Sequence, residues 1–207
     1  ENSLLSNHIF SIITIFIIFN FSKEIGNEKA GLWGSIIFAL NPYIFDQRVD
    51  YLIDLSQVCF INLNFYILYK LFKSKNKFLL SLILGITLGF VFLTKPTGLL
   101  FLFLPYSYAL YYLSKNLNSF KKKLLNLLII TSSFLIVIWP WLSINWLTIF
   151  TSILNSWQWG IKYQDGLEAN TFEGLIFYPK IITKLIGPYI LGSFIIIGSI
   201  NLFKSLR

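Results

Sequence analysis

The chain has 207 residues, 56% of them hydrophobic and only 13% charged, and a formal net charge of +8. A water-soluble domain carries about 25% charged residues; a chain this apolar would present too much greasy surface to water, so an ordinary soluble domain is excluded and lipid is its solvent. The positive charge does not point to nucleic acid, because the basic residues stand in short clusters between apolar runs, where lysines orient helices in a bilayer.

Taken in chain order, apolar runs of helix length lie at 4–21, 30–45, 51–72, 78–94, 98–114, 124–142 and 187–204. Each is near the length that crosses a ~30 Å hydrocarbon core. They predict an all-α, polytopic transmembrane helical bundle of seven spans. The first run lacks the basic flank and small-residue cleavage site of a signal peptide, and the sequence holds no methionine. The expectation is a piece of a single larger membrane domain, cut at both ends and not active alone. His8, at the outer end of the first run, reads as an interface residue. Cys59, inside the third, forms no internal disulfide and reads as a small buried hydrophobe. Gly85 and Gly89 in the fourth make a small-xxx-small pattern, whose ordinary meaning is close helix packing.

Seven alternating runs sort the basic residues by side. Twelve of the seventeen fall on one side: Lys23, Lys29, Lys70, Lys73, Lys75, Lys77, Lys115, Lys121, Lys122, Lys123, Lys204 and Arg207. Arg48, Lys95, Lys162, Lys180 and Lys184 fall on the other. The richer side is expected to be cytoplasmic. Its connections, 22–29, 73–77 and 115–123, are short and lysine-rich, as plain connectors are. The three unusual stretches, 46–54, 94–98 and 143–186, all lie outside, so function is expected there.

The first external stretch carries Asp46, Arg48, Asp50 and Asp54. Asp50 and Asp54 are four apart and share a face if the helix starts near Asp50. Two carboxylates on one face suit a cation, sugar hydroxyls or a proton. The bland alternative is a solvated loop with an Asp46–Arg48 pair and Asp50 as a cap. Asp54 stands about one turn into the apolar run, where an ionisable residue is expensive and a functional candidate.

In Leu93-Thr94-Lys95-Pro96-Thr97-Gly98, proline and glycine end one helix and turn the chain. Lys95 is isolated in sequence and either holds a phosphate group as a point charge or snorkels to lipid headgroups. Trp139-Pro140-Trp141 is an interfacial anchor. After it, apolar residues at 146, 149, 150, 153, 154 and 157 predict a short helix lying in the membrane plane. A second short helix is expected from Asn170, with Glu173 completing a capping box. The aromatics and lysines 177–184 suit a lipid-phosphate-bound sugar or simple interface anchoring. No Ser/His/Asp set, metal-spaced Cys/His cluster or phosphate-cradling glycine loop is present.

The order of these features resembles the GT-C fold glycosyltransferases that use a polyprenyl-phosphate sugar. That group includes protein O-mannosyltransferases and the lipid A aminoarabinose transferase. The resemblance rests on Ala39-Leu40-Asn41-Pro42, on Arg48 with Tyr51-Leu52-Ile53-Asp54, on Gly85 to Gly89 followed by Leu93-Thr94-Lys95-Pro96-Thr97-Gly98, on Trp139-Pro140-Trp141 with Asn145, and on Phe177-Tyr178-Pro179.

It implies inverting transfer of a sugar from a lipid-phosphate donor to a lipid, protein or glycan acceptor, on the non-cytoplasmic face of a plasma membrane. It also implies that the leading catalytic acid lies in an external loop upstream of this chain. Asp54 and Asp50 are then the carboxylates shaping the site, while Arg48, Lys95 and, with less support, Lys162 face the donor phosphate. No firmly held cofactor is expected, and a divalent cation stays open. The rival readings are a polytopic transporter, which also carries ionisable residues at membrane depth, and a non-catalytic membrane protein or polymer ligase.

Overall fold

The computed structural model describes residues 2–42, 44, 54–74, 77–116, 120–163, 172, 192–193 and 195–196. Six helices run in order: α1 (Asn2–Ile25), α2 (Glu28–Ala39), α3 (Asp54–Lys73), α4 (Lys77–Thr94), α5 (Gly98–Asn116) and α6 (Phe120–Tyr163). No strand occurs among the described residues, so the chain is all-α. Among the described residues, three helical segments are long and apolar enough to cross a membrane: Leu5–Ile25, Lys77–Thr94 and Leu124–Thr151. The expected seventh span, 187–204, lies outside the described residues apart from isolated positions.

The chain divides into two compact units, Glu1–Ile36 with Gln47–Ile144, and Ile37–Asp46 with Asn145–Arg207. In the first unit, α3 packs against α1, α4 and α5, and α4 also packs against α5. Its core gathers Ile67, Leu68 and Leu71 of α3 with Leu84 of α4.

The first helix buries mostly polar residues and exposes apolar ones. On α1, Asn7, Ser11, Thr14 and Ile17 are buried while Leu5, Ile9, Ile12 and Phe16 are exposed. Spacings of four, three and three residues place the buried set on one face, and the exposed set is what lipid accepts. Phe10 meets Phe60 edge-on at 5.6 Å, and Phe21 contacts the rings of Tyr66 and Tyr69. The thiol of Cys59 is buried beside Thr14, as expected of a small hydrophobe.

Several buried polar groups in α3 to α6 find partners within the bundle, as a medium without water demands. Asn64, fully buried, donates to Phe60 O at 2.9 Å and accepts the Tyr106 hydroxyl at 2.7 Å. Ser81 donates to Asn126 at 3.4 Å.

The Gly85/Gly89 pattern is a packing device. A Cβ on Gly85 would collide with Ser133 Oγ and the Ile130 carbonyl oxygen, and one on Gly89 would lie 2.6 Å from Val137 Cγ1. Their bare backbone lets α4 and α6 meet, and the Phe92 ring contacts with Phe134 and Trp141 extend the seam. Gly31 does the same for α2 on α1, since a Cβ there would lie 2.8 Å from Phe19 O. Between those two helices, Asn27 caps α2 by accepting Ala30 N–H at 3.0 Å.

Two elements differ from expectation. The second run was predicted over 30–45, but α2 ends at Ala39; Asn41 Oδ1 then accepts Ile44 N–H at 3.2 Å, and Pro42, without an N–H, marks a fresh start. The sixth run was predicted to end at 142 and yield to a separate in-plane helix. Instead α6 is one helix of 44 residues through Pro140. Membrane helices tolerate proline; just beyond it Ser143 Oγ donates to Pro140 O at 3.1 Å. In the second unit, Thr151 Oγ1 donates back to Leu147 O at 2.9 Å.

Candidate functional site

Charged and aromatic side chains collect at the two opposite ends of α3. At its C-terminal end, the Glu24 carboxylate accepts the Tyr66 hydroxyl at 2.9 Å and pairs with Lys70. The Glu24 carbonyl accepts the Tyr69 hydroxyl at 2.9 Å, and Lys73 donates to that same hydroxyl while lying 4.4 Å above the ring. Lys23 pairs with Glu28 at 3.1 Å. These groups belong to the end the lysine tally marks as cytoplasmic. They bond to one another, which makes this end a fastening of α1 to α3.

The other end is built from the start of α3 and the turn after α4. Asp54 opens α3, where a carboxylate suits the partial positive charge of a helix N-terminus. Thr94 closes α4 by donating to Val91 O at 2.9 Å, and Lys95 N–H reaches the same carbonyl at 3.1 Å. Pro96 cannot extend the ladder. Gly98 N–H turns back to Lys95 O at 2.8 Å and starts α5. Glycine suits this position, because a Cβ would lie 2.6 Å from Val91 Cγ1 and 2.8 Å from Gln57 Nε2, and those side chains would have to shift.

This geometry lets Lys95 Nζ reach Asp54 Oδ1 in an ion pair across 41 residues of sequence. The two side chains are 44% and 26% exposed. A pair so open to its surroundings holds loosely, since the median exposed salt bridge is worth ~0–1 kcal/mol. It is poised to exchange partners: an arriving anion can take the ammonium and free the carboxylate.

The structure therefore brings together two of the expected site residues. Asp46, Arg48 and Asp50 lie outside the described residues, as do the lysines and aromatics at 177–184. Lys162 lies in the last turn of α6, and its side chain is not described. His8 is exposed on α1. No group of three or more potential metal ligands forms among the described residues; of the carboxylates there, Asp54 is the one at this end.

The sequence reading missed Gln57, three residues after Asp54. It is buried, stands against Gly98, and its Nε2 has no hydrogen-bond partner among the described residues. The available signal was a large amide in an apolar run, at i+3 from a candidate carboxylate.

An all-helical chain with several membrane-length apolar helices fits a membrane glycosyltransferase of GT-C type. Residues 3–144 match the family described as dolichyl-phosphate-mannose-protein mannosyltransferase. That stretch is more than half of the chain and contains both Asp54 and Lys95, and the chain belongs to this family, whose members use a polyprenyl-phosphate sugar. No curated protein and no solved structure matches the chain.

Proposed function

We propose that this chain acts in inverting transfer of a sugar from a polyprenyl-phosphate donor to an acceptor hydroxyl, at the non-cytoplasmic face of a plasma membrane. The observation that carries the reading is the Asp54–Lys95 pair, at the end of α3 away from the lysine-rich connections. In this reaction the acceptor oxygen attacks the anomeric carbon from the face opposite the phosphate. The new C–O bond forms as the bond from that carbon to the phosphate oxygen breaks, and polyprenyl phosphate leaves with the electron pair. The hydroxyl proton passes to a carboxylate.

Lys95 turns from Asp54 to the donor phosphate and neutralises charge that grows on the leaving group. Asp54, released, orients sugar or acceptor hydroxyls by accepting their hydrogen bonds. Arg48 and Lys162 are further candidates for the phosphate, and Asp50 for the second carboxylate. The family match favours this reading over a transporter. The family's name makes mannose and a protein hydroxyl the first donor and acceptor to try.

The test is transfer by the full-length protein in proteoliposomes, against a panel of polyprenyl-phosphate sugars. One donor is expected to react, and Lys95→Ala is expected to raise the KM for that donor. A defect confined to the acceptor refutes the phosphate role of Lys95, and inertness toward the whole panel refutes the function.

A further inference from the structure

Gln57 Nε2 is the one buried side-chain nitrogen or oxygen without a hydrogen-bond partner among the described residues. The residue is 8% exposed. It follows Asp54 by three positions on α3, which sets it about 4.5 Å farther along the helix axis. Lys95 precedes Gly98 by three positions, and Gly98 is the residue Gln57 faces. Two rungs thus join the start of α3 to the turn before α5. The outer rung is the Asp54–Lys95 ion pair, and the inner rung is an amide nitrogen against a glycine.

An amide nitrogen carries two donors and no acceptor capacity. Left unmet in a site this dry it opposes folding, and a methionine of similar shape would fill the space without that penalty. The missing partner must therefore be an acceptor, and one that this chain's described residues do not supply. The Lys95 ammonium of the outer rung, held by Asp54, is also a donor. Two donors of which one is cationic favour an anionic oxygen, which can accept from both.

We infer that Gln57 is a ligand-binding residue whose amide donates to a phosphate oxygen of a polyprenyl-phosphate lipid, in the same event that draws Lys95 from Asp54 to that phosphate. The inference rests on the proposed function and names a contact of its donor site. Opening the outer rung is what admits the phosphate to the inner one. The occupied state has each donor matched and the Asp54 carboxylate free.

The probe is undecaprenyl phosphate in phosphatidylcholine nanodiscs, with phosphatidic acid and inorganic phosphate as parallel arms. Tryptophan fluorescence gives Kd, and the unliganded melting temperature reports packing. For Gln57→Met, undecaprenyl phosphate is expected to bind at least about tenfold more weakly, the worth of one hydrogen bond to a charged acceptor, while unliganded melting does not fall. Gln57→Glu, which keeps the shape but repels phosphate, is expected to weaken binding further.

An unchanged Kd in both variants overturns the inference and leaves the proposed function standing, with Gln57 a packing residue. An equal response of phosphatidic acid or inorganic phosphate to the substitutions overturns the assignment to a polyprenyl lipid. Failure of the unsubstituted protein to bind undecaprenyl phosphate removes the proposed donor itself, a separate outcome.

Discussion

Asp54→Asn separates a structural from a chemical role for the outer ion pair. The substitution keeps the shape of the side chain and its ability to accept a hydrogen bond from Lys95, and removes only the charge. With the partners 26% and 44% exposed, the lost attraction is worth at most about 1 kcal/mol. For a chain of this size that corresponds to roughly 2–4 °C in Tm. A charged group aimed at the reacting centre has a much larger effect on rate, about 10²–10³-fold in kcat when one stabilising group is lost. The assay is sugar transfer at saturating lipid donor, with thermal unfolding measured on the same reconstituted sample. Expected are a melting shift within those few degrees, near-complete loss of transfer, and a Lys95→Ala, Asp54→Asn double variant no slower than the worse single one. A fall of more than about 8 °C, with activity lost in proportion to folded protein, would show that the pair holds the fold and would refute the reasoning.

Other substitutions test the packing that positions this pair. Gly85→Ala should destabilise by about 1–3 kcal/mol through overpacking, and more than Gly89→Ala, because the Gly85 Cβ would meet a backbone carbonyl and the Gly89 Cβ only the Val137 side chain; unfolding in mixed micelles ranks the two. Tyr106→Phe strands the Asn64 oxygen, so it should cost about 1–3 kcal/mol alone, and the Tyr106→Phe, Asn64→Leu pair should show a favourable coupling in a double-mutant cycle. Glu24→Gln should loosen the inner fastening of α1 to α3 and speed proteolysis near residue 26, while leaving the KM for lipid donor unchanged.

The sequence revealed depth and face better than neighbours. Runs of apolar residues gave α1 and α3 to α5 within a few positions, because the length of a helix in lipid follows from where charges and Pro/Gly turns interrupt it. The Gly85–Gly89 spacing announced its close approach for the same local reason. The lysine tally placed Asp54 and Lys95 at the same ends of the helices, but nothing local said that they touch, since the pairing depends on how α3 and α4 pack side by side. Lys95 looked solitary only because its partner is 41 residues away. The Tyr66 and Tyr69 hydroxyls were hidden similarly, reading as aromatic filler until α1 brought Glu24 to them. Trp139-Pro140-Trp141 reads as an interfacial anchor that ends a span, yet α6 continues through it, since proline is tolerated in membrane helices.

The two faces of α1 give separate instructions. Leu5, Ile9, Ile12 and Phe16 face outward and would carry almost any segment into a bilayer, whereas Asn7, Ser11 and Thr14 look toward the interior of the bundle. A stretch of uniform leucine put in its place would enter the membrane as readily and yet recognise no neighbour. For this protein, then, arrival in the bilayer and correct assembly within it are written in different letters of the same segment, and a substitution can erase one while leaving the other fully legible.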